Sequence, residues 1–236
     1  MSGPARPTVV LLHGLARTRY SLAGLRRYLE RAGFPTWARS YPSRRRGIAD
    51  AADQIADWLA RDLPGGGPLV AVTHSMGGLV ARHLASRVAL QQIVMLAPPN
   101  HGSRVSRIYV RHPLYRWFFG PAGQELASFE AERGWPPLEV PFAVIAGTRG
   151  RAIANPTSWL TRARGHFTSD EAHDGTVAVD ETALPGMAGF ATVDASHTWI
   201  MNDRRARELV VRFLETRSFE GRALSHPLAP VLGGEG

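Results

Sequence analysis

The sequence predicts an α/β fold in which a mostly parallel sheet carries helices on both faces. Short β-branched and aliphatic runs alternate with longer segments of helical periodicity, the order that builds such a sheet. The first strand run, Thr8 to Leu12, is apolar throughout rather than alternating, as a strand covered on both faces is. The chain has 236 residues, 44% hydrophobic and 20% charged. That is enough for one sizeable core, since a domain typically takes about 100–200 residues and α/β folds often exceed this as one unit.

Taken in order, Thr8 to Leu12 is an uninterrupted apolar run ending at His13-Gly14, a buried strand. Ser21 to Ala32 places Leu22, Leu25 and Leu29 at helical spacing and stops at Gly33, a good C-cap. Thr36 to Tyr41 reads as a second, weaker strand. Ile48 to Leu63 is a helix with Ile48, Ala52, Ile55 and Leu59 on one face, closed by Pro64-Gly65-Gly66-Gly67. Leu69 to Val72, Ile93 to Leu96, Phe142 to Ala146 and Phe190 to Val193 supply four more strands. Met76 to Ser86 and Ile200 to Leu214 supply two more helices. No repeat of fixed period interrupts the alternation. Residues 100–137, with Tyr109, Tyr115, Trp117, Phe118, Phe119 and Trp135, read as an aromatic-rich insertion. One domain is expected over 1–217, and 218–236, ending in Leu232-Gly233-Gly234-Glu235-Gly236, is expected to be a flexible tail.

Composition removes several classes of function. Cys is absent, which excludes disulfides, thiol chemistry and Cys-ligated zinc. The formal net charge is +8, and all 28 Lys+Arg positions are Arg, whose guanidinium stays protonated. These arginines are spread along the chain apart from Arg44-Arg45-Arg46, with no nucleic-acid motif and no basic stripe interleaved with aromatics. A solvated basic face is the favoured reading, with no nucleic-acid partner. No apolar run reaches the ~18 residues of a membrane span, and no signal-peptide pattern is seen, so a cytoplasmic protein without an integral membrane segment is expected. Oligomeric state is not legible.

The chemistry concentrates in Leu69 to Val80, where a buried strand runs into His74-Ser75-Met76-Gly77-Gly78 and then an apolar helix. A Ser on so sharp a turn has its Oγ exposed above the strand end, and the turn leaves no room for a side chain at Gly77. Ser75 then sits at a helix N-terminus, where free N–H groups favour developing negative charge. A plain Ser N-cap would need neither the two glycines nor the upstream strand.

That segment resembles the nucleophile elbow of the α/β-hydrolases, bacterial lipases and esterases in particular. His13-Gly14-Leu15 is similar to their oxyanion loop, and Leu96-Ala97-Pro98-Pro99-Asn100-His101-Gly102-Ser103 to their Pro-x-x-Gly-Ser stretch. Asp174-Gly175-Thr176-Val177 is similar to their acid loop, and Ser196-His197-Thr198 falls where the family's His is expected. The resemblance spans roughly residues 8 to 215. It departs from the family's Gly-x-Ser-x-Gly at Thr73, which stands where the first Gly is usual. The one or two antiparallel strands that often precede the oxyanion loop in that family are expected to be absent. The resemblance implies a single-domain α/β-hydrolase fold in a compact version, acting without a cofactor or a metal on a small-molecule ester or lipid.

The roles follow from what the chemistry needs: a nucleophile, a base to activate it and a carboxylate to orient the base, in the chain order Ser, acid, His. Of nine His residues, only His197 follows the last strand and opens the last helix after a candidate acid. Asp174, on an Asp-Gly turn before Val177, is the expected acid, and Asp194 is its main rival. Backbone N–H groups of Leu15 and Met76 are the expected oxyanion donors, with His13, Gly14, His74 and Gly77 contributing to substrate binding. His166, Asp170, His173 and Asp174 share ligand-type chemistry for zinc but follow no recognised metal spacing, so a solvated polar loop is favoured. Residues 100–137 read equally as a lid or acyl-binding wall over Ser75 and as a plain core-covering helix. Hydrolysis of carboxylic esters through an acyl-enzyme is the expectation. The alternatives are a thioesterase, amidase or acyltransferase with the same triad, or a catalytically silent binding protein of this fold.

Overall fold

The computed structural model describes residues 6–150, 167 and 171–220. Its strands are β1 (Thr8–Leu12), β2 (Thr36–Trp37), β3 (Leu69–His74), β4 (Leu90–Leu96), β5 (Phe142–Gly147) and β6 (Gly189–Val193). They form one sheet in the order β2-β1-β3-β4-β5-β6, every neighbouring pair parallel. The helices are α1 (Ala23–Arg31), α2 (Ile48–Asp62), α3 (Gly77–Ala85), α4 (Arg104–Tyr109), α5 (Pro113–Glu125), α6 (Phe129–Gly134), α7 (Val179–Thr182) and α8 (Arg204–Thr216).

Side chains of successive strand residues point to opposite faces, which divides the core in two. Val9 and Leu11 of β1 join Leu25 and Leu29 of α1 and Leu209 and Phe213 of α8 on one face. Val10 and Leu12 join Ile55 of α2 and Leu79 of α3 on the other. The chain leaves β1 toward β2 and returns on the other side of β1 as β3. The carboxyl ends of β1 and β3 therefore flank a topological switch point, the crevice where open α/β sheets bind ligands.

Two elements depart most from the sequence expectation. The second strand ends at Trp37 rather than Tyr41, because the chain peels away to seat the Tyr41 ring on His13, with centroids 4.0 Å apart. The last helix is split. A 3₁₀ turn at Ile200–Asn202 precedes Asp203, whose carboxylate caps α8 by accepting from the Ala206 N–H at 2.8 Å. Of the expected flexible tail, Phe219 is buried against Phe213, and residues 221–236 lie outside the described residues.

The insertion folds as α4, α5 and α6. Within α5, Gly120 takes φ +62° and is followed by Pro121, which breaks the helical ladder and kinks the element. Glu125 at its end accepts from the Ile48 N–H at 3.2 Å, tying the insertion to the start of α2.

Candidate active site

The turn between β3 and α3 puts Ser75 at φ +53°, a left-handed conformation rare outside glycine. Its N–H donates to the Leu96 carbonyl at 2.8 Å and its carbonyl accepts from the Gly78 N–H at 2.8 Å, so the strained residue is held on both sides. A Cβ on Gly77 would stand 2.5 Å from the Leu12 carbonyl oxygen, closer than any side chain can approach. Thr73, the departure from the family pattern, is fully buried, and the glycine at position 78 is required by Pro98 rather than by Thr73. A Cβ on Gly78 would lie 3.5 Å from the Thr73 Oγ1 and 2.9 Å from the Pro98 Cβ.

Ser75, His197 and Asp174 converge from three loops. The His197 Nε2 lies 2.9 Å from the Ser75 Oγ, and its Nδ1 lies 2.7 Å from the Asp174 Oδ2. With Nδ1–H donated to the carboxylate, Nε2 is left to accept the Ser75 O–H. Asp174 is 1% exposed. Its other oxygen accepts from the N–H groups of Thr176 at 3.0 Å and Val177 at 2.8 Å. The His197 N–H donates to the Asp174 carbonyl at 3.0 Å, so the two loops are joined by backbone as well as side chain. Asp194, the rival acid, points outward, where Arg149 holds it bidentately at 2.7 and 3.1 Å.

Gly147, at the end of β5, was not anticipated. A Cβ on it would stand 2.8 Å from the Asp174 Cβ and 2.5 Å from the Ala195 carbonyl, so the close approach of these loops requires glycine. The only sequence signal is a strand ending in Gly.

The expected substrate-binding residues separate into two groups. Gly14 and His74 line the cavity over Ser75, whereas His13 and Gly77 do not. His13 is buried behind the oxyanion loop, its Nδ1–H donating to the Gly14 carbonyl at 2.9 Å while Nε2 accepts from the Tyr41 N–H at 3.2 Å. Burial, with a smaller contribution from Arg17, pushes its pKa down to about 4, so the ring is neutral. His74 donates from Nε2 to the His197 carbonyl at 2.8 Å. Burial and the neighbouring His197 hold its pKa well below the usual imidazole range, so it serves as a neutral tether for the His197 loop. The Leu15 and Met76 N–H groups donate to no acceptor among the described residues. A Cβ on Gly14 would lie 3.1 Å from the Ser75 Cβ, which shows how closely the first loop passes the elbow.

The cavity has a volume of about 910 Å³. Its wall comes from the insertion, through Tyr109, Leu114, Tyr115, Phe118, Phe119 and Leu126. Arg17, which sequence reasoning passed over, also lines it. Of the residues weighed as metal ligands, His166 and Asp170 lie outside the described residues. His173 stacks on Phe167 at 4.0 Å. Among the described residues no group of three or more His, Cys, Asp and Glu side chains is placed to hold a metal. Nor is any described helix long and apolar enough to cross a membrane.

The parallel sheet, the switch-point crevice and the Ser turn define a hydrolase of the α/β class. The chain belongs to the alpha/beta hydrolase family, which it matches over residues 9–230. No curated protein sequence matches it. Among solved structures it is similar to the mature lipase BlEst2 of Bacillus licheniformis, with a TM-score of 0.73 and 16% identity over 92% of this chain and 94% of that one. It is also similar to a metagenomic carboxyl esterase, MGS0156, with a TM-score of 0.69 and 18% identity over 90% and 76% of the two chains. A third likeness is to phospholipase PlaB of Legionella pneumophila, with a TM-score of 0.68 and 19% identity over 90% of this chain and 60% of that one. At such identities the likeness is one of fold.

Proposed function

We propose that the protein is a serine hydrolase that cleaves carboxylic esters, of lipase or esterase type, through an acyl-enzyme. The observation that carries this reading is the hydrogen-bonded chain Ser75–His197–Asp174, at 2.9 and 2.7 Å, on the floor of an aromatic-walled cavity. The Ser75 Oγ attacks the ester carbonyl carbon while His197 Nε2 takes its proton. Asp174 holds the imidazole in the required tautomer and stabilises the imidazolium. The oxyanion of the tetrahedral intermediate meets the Leu15 and Met76 N–H groups, each such donor typically worth about 2.7–4 kcal/mol. Collapse of the intermediate expels the alcohol, which takes the proton back from Nε2. Water, deprotonated by His197, then attacks the acyl-Ser75 carbonyl and releases the acid. The apolar wall suits an acyl chain, which supports the wall reading of residues 100–137.

The test is hydrolysis of p-nitrophenyl esters from acetyl to palmitoyl by the wild type and Ser75→Ala. Loss of such a nucleophile typically lowers kcat by about a millionfold, and the preferred chain length separates esterase from lipase. Equal turnover by both proteins would overturn the reading. A folded wild type inert on every ester would redirect it to thioesters, amides or binding alone.

A further inference from the structure

We propose that Arg17 forms an anion-binding subsite inside the cavity, and that the preferred substrates are acyl esters carrying a phosphate or carboxylate beside the scissile bond. The substrate class rests on the ester-hydrolase reading above; the anion subsite itself does not.

Position is the first ground. Arg17 follows Leu15 by two residues in the oxyanion loop, and the backbone there is fixed. Ala16 takes φ +56°, its N–H donates to the Ser43 Oγ at 3.1 Å, and the Arg17 N–H donates to the Gly14 carbonyl at 3.3 Å. The side chain is half-buried and lines the same cavity as Ser75 and His197. Its positive charge contributes to holding down both His74 and His13, which places it within the field of the site rather than out in solvent.

Charge is the second ground. Among the described lining residues Arg17 carries the one permanent charge, and no Asp or Glu lines the cavity. Arg104, Arg149 and Arg204 each have a carboxylate partner, at 2.6, 2.7 and 2.8 Å respectively. The Arg17 guanidinium has neither an ion pair nor a side-chain hydrogen bond among the described residues. Burial lowers its pKa with no acidic neighbour to oppose the shift. A partly desolvated cation without a counter-charge is unfavourable, and a ligand oxyanion would relieve it through the planar fork that matches carboxylate or phosphate.

The rest of the cavity completes the description of the ligand. Its apolar wall accepts a hydrocarbon chain and its single cation accepts an anion, so the matching molecule is an anionic amphiphile. A cationic head group finds no counter-charge there.

The experiment measures binding and turnover on the full-length protein. Calorimetric titration with decyl phosphate and with decyltrimethylammonium, both below micellar concentration, reads the subsite without chemistry. The wild type is expected to bind decyl phosphate at least tenfold more tightly. Arg17→Gln is expected to lose about ten- to hundredfold of that affinity, the range of a charge-assisted hydrogen bond. Arg17→Lys is expected to recover part of it. Arg27→Gln, which removes the same charge from the exposed face of α1, is expected to retain the preference and so to separate a local subsite from the protein's net charge. Turnover of 1-decanoylglycerol 3-phosphate against 1-decanoylglycerol gives the selectivity ratio, which is expected to fall in Arg17→Gln through KM rather than kcat. Equal wild-type binding of the two amphiphiles, or an unaltered preference in Arg17→Gln, would overturn the subsite. A decyl phosphate preference with neither ester hydrolysed would sustain the subsite and defeat the hydrolase reading. Ser75-dependent hydrolysis without a phosphate preference would do the reverse.

Discussion

The cavity has a floor made by the carboxyl ends of β1, β3 and β5 and a wall made by α4 and α5, and the two are built on different physical terms. On the floor, Ser75 is held at φ +53° and Asp174 is 1% exposed. Added Cβ atoms at Gly77 and Gly147 would come within 2.5 Å of backbone oxygens. In the wall, Leu114 is 68% exposed and Trp117 77%, and α5 is broken at Gly120-Pro121. The floor fixes atoms by close approach and by hydrogen bonds between its loops. The wall supplies apolar area and is joined to the body through Glu125, through the Arg44 guanidinium on the Phe118 carbonyl, and through packing. Floor substitutions should therefore act on kcat and stability, and wall substitutions on which acyl chain is accepted.

The largest effect expected at the floor after loss of Ser75 itself is that of Asp174→Asn. It preserves shape but supplies the wrong hydrogen-bonding partner to the His197 Nδ1. In a triad of this kind such a change typically lowers kcat by about ten-thousandfold. A loss below tenfold in steady-state assays would mean that Asp174 does not orient the base.

Next comes acid stability. His13 titrates at about 4 when folded, against 6.5 for an ordinary imidazole. Between these values the unfolded chain binds more protons than the native one, so stability is fully present above pH 6.5 and falls as the pH drops toward 4. The loss amounts to about 3 kcal/mol, and His74 acts in the same direction. Urea unfolding across this range reads it, and a stability unchanged between pH 7 and 5 would contradict the buried neutral histidines.

In the wall, Phe119→Ala enlarges the apolar lining and is expected to shift the preferred acyl length. The ratio of kcat/KM for long and short p-nitrophenyl esters should change by about tenfold, the scale of one or two methylenes in a pocket. An equal loss on all chain lengths would blur the distinction between floor and wall. The smallest effect belongs to Asp194→Asn, whose carboxylate faces Arg149 at the surface. Its kcat/KM should stay within about twofold, since an exposed ion pair contributes little.

The sequence and the structure agree most closely where a signal is local. Short apolar runs reveal most of the parallel strands, and a strand followed by Ser-Met-Gly-Gly reveals the elbow, because the signal for each lies within a few consecutive residues. The signal fails where a distant contact decides. Thr36 to Tyr41 looks like one strand, yet Tyr41 leaves the sheet for His13, 28 residues away in the chain. Asp174 lies 23 residues before His197 and Asp194 only three, and only the folded path turns the more distant one inward. His13 and Gly77 adjoin lining residues, but adjacency in sequence does not say which way a side chain points. Arg17 is one of 28 cations of a single type, and nothing local distinguishes the one that faces the cavity.

The central claim is that Ser75 is the nucleophile, and covalent trapping tests it most directly. Incubation with diethyl p-nitrophenyl phosphate, followed by peptide mass analysis, reads the bond formed when the Ser75 Oγ attacks phosphorus and expels p-nitrophenolate. The account predicts one diethylphosphoryl group, on Ser75 in the wild type, and none on the Ser75→Ala protein. A label on another residue, or equal labelling of both proteins, would contradict it.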